Sequence, residues 1–183
     1  ALVNECNVLW GNWFVICGTI RYVQWINIKK TKIDVTFGNL EGVIGNGGIP
    51  KSCNNPKYCY TFRMPEHYIS NIKNAGFDLL SIANNHANDF GLEGRKKTAS
   101  VLKTAEINFA GSLDKPYTVF TKKNIKYGFL STAPNSGCFN MKNYSGEFSR
   151  IKTKFTYFDF LVSCKTSIQY VRLYVCFTVK TEN

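Results

Sequence analysis

Two short polar runs carry the residues whose types and spacing could do chemistry. Gly38-Asn39-Leu40-Glu41-Gly42 follows a β-branched stretch at 33–37, and Asn84-Asn85-His86-Ala87-Asn88-Asp89 follows an apolar run at 77–83. Open α/β sheets bind ligands beyond the carboxyl ends of their strands. If the two stretches are neighbouring strands, Asn39, Glu41, Asn85, His86 and Asp89 converge on one cleft. Oxygen and imidazole donors without a thiol suit Mn²⁺, Mg²⁺, Fe²⁺ or Zn²⁺. A divalent metal held there could lower the pKa of a bound water and clamp a phosphoryl oxygen. His86 could then be a ligand or a general acid, depending on its tautomer. The same residues also read more simply, with Asn39 and Asn84 as turn formers and His86 as a hydrogen-bonding loop histidine.

A third segment, Tyr60-Thr61-Phe62-Arg63-Met64-Pro65, places Arg63 just ahead of a helix start. A guanidinium beside free helix amides suits a phosphate or carboxylate, and a surface salt bridge is the plainer alternative. Ala133-Pro134-Asn135-Ser136-Gly137 follows a strand and either lines the same cleft or forms an ordinary turn.

The elements that must position these residues are well punctuated. The stretch 33–37 reads as a strand ending at Gly38, followed by a loop through Gly45, Gly47, Gly48 and Pro50. Pro65 opens a helix near Glu66, with Tyr68, Ile69 and Ile72 as its apolar face and Gly76 as its stop. The run 77–83 suits a strand buried on both faces. A second helix spans about 92–105 with Val101, Leu102 and Ala105 on one side, and 107–110 is a short strand. Residues 117–122 and 125–132 form a hairpin turning at Lys123-Asn124, and the tail offers strands at 158–163 and 170–179. Alternating strands and helices predict an α/β fold, a mainly parallel sheet covered by helices with a hairpin added.

Composition bounds the class. The chain has 183 residues, of which 44% are hydrophobic and 19% charged, which excludes wholesale disorder, collagen and coiled coil. A chain of this length buries about 70% of its unfolded surface and needs no staples. The net charge of +11 favours phosphates, nucleic acid or anionic surfaces as partners. The basic residues are scattered, however, and no nucleic-acid motif occurs, so a nucleic-acid partner is not expected. Seven cysteines, an odd number without a CxxC pair, argue against a closed disulfide framework and a structural zinc site. Cys53 and Cys59 flank a short Asn-Asn-Pro loop and could pair in an oxidising compartment; idle thiols are the expectation. Residues 8–26 are apolar except for Arg21 and approach the length of a membrane span. Their Gly, Asn and Gln content, and the lack of a preceding basic stretch, favour buried strands, so no membrane anchor is evident. The chain begins at Ala1, which fits a fragment or a processed form.

Taken together, Phe37-Gly38-Asn39-Leu40-Glu41-Gly42, Phe62-Arg63-Met64-Pro65 and Ala75-Gly76-Phe77-Asp78, running into Ala83-Asn84-Asn85-His86-Ala87-Asn88-Asp89-Phe90-Gly91, resemble the bacterial capsule-synthesis CapA family. That family is associated with poly-γ-glutamate capsule. The likeness continues through Gly94, Ala110-Gly111 and Pro116 to about Asn135 and covers roughly 33–144, leaving 1–32 and 145–183 as divergent ends. The family is similar in fold to calcineurin-like metallophosphoesterases, which implies a β-sandwich of mixed sheets flanked by helices, with a metal centre at the strand ends. By that resemblance Glu41 and Asn39 sit where a bridging carboxylate is supplied. Asn85 and His86 sit where an Asn ligand and a catalytic His are supplied, and Arg63 lies near the cleft.

The chain also departs from the pattern. The family's first strand ends in Gly-Asp, whereas Cys17-Gly18-Thr19 stands here, and no His follows His86. The resemblance therefore implies the centre of a domain whose flanks are missing or replaced, with sheet edges left exposed. It implies a capsule-synthesis protein of the cell envelope, or a cytoplasmic one, that handles poly-γ-glutamate within a capsule-synthesis complex. A metal-dependent phosphoesterase acting on another phosphoester substrate, or a non-catalytic remnant binding anions at Arg63, are the alternatives.

Overall fold

A computed structural model describes residues 35–52 and 59–140, together with the backbone of three further strands at 14–19, 160–165 and 170–178. In chain order the elements are β1 (Phe14–Thr19), β2 (Thr36–Asn39), β3 (Val43–Ile44), β4 (Arg63–Met64), a 3₁₀ turn (Glu66–Tyr68), α1 (Ile69–Ala75), β5 (Leu79–Ser81), α2 (Gly91–Thr104), β6 (Asn108–Ala110), β7 (Tyr117–Lys122), β8 (Ile125–Thr132), β9 (Phe160–Lys165) and β10 (Tyr170–Thr178). Strands β1-β2-β5-β6 form a parallel sheet in that order, β7-β8-β10-β9 an antiparallel one, and β3 pairs with β4 in a small parallel ribbon.

Strands β2, β5 and β6 of the parallel sheet are buried on both faces, and successive side chains divide between them. Leu80 and Phe109 face the helices, where Ile72 of α1 and Val101 and Leu102 of α2 join them. Leu79, Phe37 and Ala110 face the other way, onto Tyr127 and Phe129 of β8. The Phe37 and Phe129 rings meet at 5.4 Å, and the hydroxyls of Ser81 and Ser131 pair at 2.6 Å between the sheets. The architecture is a mixed α/β one: helices on a parallel sheet, and that sheet on an antiparallel one. At Gly38 a Cβ would lie 2.8 Å from the Phe77 ring, so glycine makes room for that ring against the strand.

Local chemistry explains most boundaries. Gly76 ends α1 in the left-handed conformation, φ 93°, donating back to Ile72 and Lys73. The hairpin turns at Lys123 and Asn124, both with positive φ, which matches the right-handed twist of its strands. Asp78 ties the amino end of the parallel sheet together: its Oδ2 accepts from the Thr36 N–H at 2.8 Å and pairs with the Lys122 ammonium at 2.5 Å.

Several expectations shift. The helix expected from Pro65 starts as a 3₁₀ turn and becomes α-helical only at Ile69, so Tyr68 lies outside the apolar stripe and is 44% exposed. Residues 33 and 34 of the expected first strand lie outside the described residues. The divergent ends do supply strands. β1 extends the parallel sheet at β2, and β10 followed by β9 extends the antiparallel sheet at β8, so these edges are paired.

Candidate functional site

Strands β2 and β5 are direct parallel neighbours, with Asn39 in register with Ser81. The two polar runs therefore leave the sheet side by side. Asn84, only 1% exposed, fastens them. Its amide donates to the Leu40 carbonyl at 2.8 Å and to Asn39 Oδ1 at 3.2 Å, while its Oδ1 accepts the His86 backbone N–H at 3.0 Å. A short side chain that bonds the backbone two residues on is a turn-forming device. Here it also holds one strand end to the other.

That turn delivers His86 and Asp89. His86 Nδ1 lies 2.8 Å from Asp89 Oδ2, and the same oxygen accepts the Phe62 N–H at 2.7 Å. Asp89 Oδ1 has no hydrogen-bond donor of regular geometry; the Lys51 ammonium stands 2.5 Å away as its counter-charge. Burial pushes the Asp89 carboxyl upward, but the bonds from His86, Lys51 and the Phe62 amide outweigh it and leave the group below its ordinary value. Asp89 is thus an ionised acceptor, and His86 Nδ1 carries the hydrogen between them. The other ring nitrogen, Nε2, lies 3.7 Å from Glu41 Oε1. The Phe62 ring covers the imidazole with centroids 3.9 Å apart.

Arg63 holds a loop. Its Nη2 donates to the Gly47 carbonyl at 2.6 Å and reaches that of Gly48 at 3.4 Å, and its guanidinium carbon sits 3.5 Å above the Phe90 ring. Gly48 has φ 75°, and a Cβ there would come within 2.3 Å of the Phe90 carbonyl oxygen, so only glycine fits. The loop then runs to Lys51, whose N–H donates to the Asp89 carbonyl at 2.7 Å. Arg63 in this arrangement anchors the strap that presents Lys51.

Of the five residues expected to converge, the structure assembles Glu41, His86 and Asp89, with Asn39 attached through Asn84. Asn85 is exposed, and the bonds across the strand ends belong to Asn84. Asp89, expected as a metal ligand, has both oxygens committed to protein cations and donors. The segment 133–137 does lie against the site. Asn88 Nδ2 donates to Ser136 Oγ at 3.1 Å, and Ala133 and Cys138 cluster with Ala83 and Ala87. Sequence reasoning passed over Lys51 and included Phe62 only as part of a motif, without a role; both act through a loop closed by tertiary contacts. Cys59 is disulfide-bonded, against the expectation of idle thiols, and Cys53 lies outside the described residues.

The family described as Bacterial capsule synthesis protein PGA_cap matches residues 23–157, well over half of the chain and inclusive of the whole site. The chain belongs to this family. Capsule biosynthesis protein CapA of Bacillus anthracis is 38% identical over 47 residues, which is 26% of this chain and 11% of that protein. The uncharacterized proteins y4sH and y4uA of Sinorhizobium fredii are each 36% identical over 84 residues, 43% of this chain and 17% of theirs. The chain thus spans a small part of the curated relatives it matches.

The divalent-metal centre that the resemblance implies can be tested on this PGA_cap chain's own donors. Among the described residues, no group of three or more His, Cys, Asp or Glu side chains could hold a metal ion. Asp89 faces an ammonium, His86 Nδ1 is bound to Asp89, and Asn39 Oδ1 is bound to Asn84. The donor set does not fit a two-metal centre, because a carboxylate already neutralised by a lysine is a poor ligand.

Cys138 sits behind the site as a free, buried thiol that donates to the Asn84 carbonyl at 3.4 Å. Burial pushes its pKa up to about 11, partly offset by that bond and by Arg95. Such a thiol is not a nucleophile at neutral pH. In the native protein at pH 8, Cys138 is expected to resist a maleimide that modifies it within minutes in urea. Peptide mass mapping reads this site directly, and rapid native labelling would contradict the burial.

Proposed function

We propose that this chain is a CapA-type capsule-synthesis protein, acting at the cell envelope on poly-γ-glutamate during its assembly or export. The observation that carries the reading is the His86–Asp89 pair at the joined ends of β2 and β5, inside the segment matched by the PGA_cap family. A carboxylate on Nδ1 fixes the ring and its tautomer, so Nε2 gives or takes a proton at one defined place. Glu41 across from it supplies a second titratable group. Together they suit proton handling at a γ-amide or at a phosphoester linked to an acidic polymer. The layered sheets with helices on one side agree with a calcineurin-like architecture. The disulfide at Cys59 supports an oxidising compartment, where envelope proteins fold. No helix among the described residues is long and apolar enough to cross a membrane.

Calorimetric titration with a γ-linked glutamate oligomer, beside an α-linked oligomer of equal length, tests the reading. The γ-linked ligand should bind more tightly, and His86→Ala should weaken it by about tenfold, the worth of one hydrogen bond to a charged group. Equal affinity for both oligomers would reduce the interaction to general attraction by a chain of net charge +11. The same imidazole–carboxylate pair favours a second reading, a phosphoesterase acting on another substrate. Mn²⁺-dependent turnover of a phosphodiester, abolished in His86→Ala, would replace the first reading with that one.

A further inference from the structure

We propose that Lys51 is the resident cation of this cleft, and that its ammonium takes a carboxylate of the acidic ligand without a divalent metal. Asp89 creates the need for a cation here. Its side chain is fully buried, and Oδ1 has no hydrogen-bond donor of regular geometry. A buried ionised oxygen needs a compensating positive charge, and in metal-dependent sites a divalent ion supplies it. Here Lys51 Nζ stands 2.5 Å from that oxygen. It is held there from both directions. Its own N–H bonds the Asp89 carbonyl at 2.7 Å, and Arg63 clamps the Gly47 and Gly48 carbonyls of the strap that leads to it.

An ammonium has three donors, and Asp89 Oδ1 engages one side of it. About a third of the Lys51 side chain, 34%, remains exposed, whereas its carboxylate partner is fully buried, so a ligand can approach this residue from the solvent side of the pair. The Asp89 carboxylate on which Lys51 rests is the one that orients His86. A carboxylate bound at Lys51 is therefore linked to the imidazole through a single shared residue, Asp89. The carboxylate part of this inference rests on the poly-γ-glutamate reading above; the resident-cation part does not.

Two measurements on the full chain separate these parts. The first is thermal unfolding of wild type, Lys51→Met and Lys51→Arg, each in chelator and in millimolar Mn²⁺. Wild type and Lys51→Arg should melt together and ignore the metal. Lys51→Met should melt roughly 5 °C or more lower and recover part of the loss with Mn²⁺, because the vacated carboxylate accepts another cation. A wild type stabilised by micromolar Mn²⁺, or a Lys51→Met protein as stable as wild type, would overturn the resident cation. Should Lys51→Met not fold, Lys51→Gln in the same series decides between these outcomes.

The second measurement is binding of the γ-linked glutamate oligomer in chelator. Wild type should bind, Lys51→Arg should bind within a few-fold, and Lys51→Met should lose about tenfold or more. Unchanged binding by Lys51→Met would overturn the role of Lys51 and leave the functional reading intact. Binding by wild type only with Mn²⁺ present would overturn the metal-free site. No binding under any condition would overturn the functional reading and the carboxylate part together.

Discussion

Asp89→Ala is expected to lose about 3–5 kcal/mol of folding stability, the scale seen when one partner of a buried ion pair is removed. The side chain is fully buried and answers two donors and a counter-charge from three segments: His86 Nδ1, the Phe62 amide and the Lys51 ammonium. Truncation leaves the His86 and Phe62 donors facing a space without an acceptor and takes the counter-charge from Lys51. Urea unfolding at pH 7 reads the loss, and a change under about 1 kcal/mol would show that the pair is not buried as described. The pH dependence gives an independent check. Burial acts to raise the Asp89 pKa, yet its bonds bring the folded value below the ordinary one. A depressed folded pKa means stability that is fully present above the unfolded carboxylate's pKa, near 3.9. That contribution disappears as pH falls through the lower folded value. The part of the gap between wild type and Asp89→Ala that comes from the carboxylate's own titration should thus persist at neutral pH and be lost only in stronger acid.

Phe129→Ala is the second large loss, again about 3–5 kcal/mol, from a different cause. Phe129 is fully buried between the two sheets, against Val35, Phe37, Leu79 and Tyr127. Removing the ring takes away its transfer free energy and leaves a cavity that two hydrogen-bonded sheets cannot collapse to fill. A chain of this length should melt roughly 6–20 °C lower, with no dependence on pH between 5 and 8. That flat profile distinguishes a packing defect from the loss of a charge. A melting point within about 2 °C of wild type would mean that the sheets do not meet at this residue.

Apart from the two-residue strands β3 and β4, which read as loop in the sequence, the strand and helix order from Thr36 to Thr132 was legible because local chemistry and packing agree there. Leu79 and Leu80 sit in a run with no polar face, and the strand is buried on both sides. Gly76 stops its helix, and the Lys123-Asn124 turn closes its hairpin. Tyr68 misled because Pro65 opens a 3₁₀ turn, which rotates the residues before Ile69 off the apolar stripe. Inside the site, His86, Asp89 and Glu41 were legible as a set because the strands that carry them are neighbours. The two adjacent asparagines were not distinguishable: whether Asn84 or Asn85 turns inward depends on one backbone rotation that composition does not encode. Lys51 was invisible for another reason. Nothing local connects it to Asp89; the connection is made by Arg63, Phe90 and a glycine whose conformation no other residue adopts.

The Ser81–Ser131 bridge has a mechanical consequence. Apolar sheet faces can slide over one another with little change in energy, because hydrophobic contact has no direction. Two buried hydroxyls that bond each other at 2.6 Å do have one. Sliding by a single residue would break this bond in the interior, at a cost of about 1–3 kcal/mol, although Ser81 Oγ would keep the Ala83 N–H. The pair therefore acts as a detent that fixes the depth of one sheet against the other. The loop after β5 belongs to one sheet, and the segment after β8 to the other. Their meeting at Asn88 and Ser136 is level because two serines, one strand-end earlier, allow the layers a single alignment.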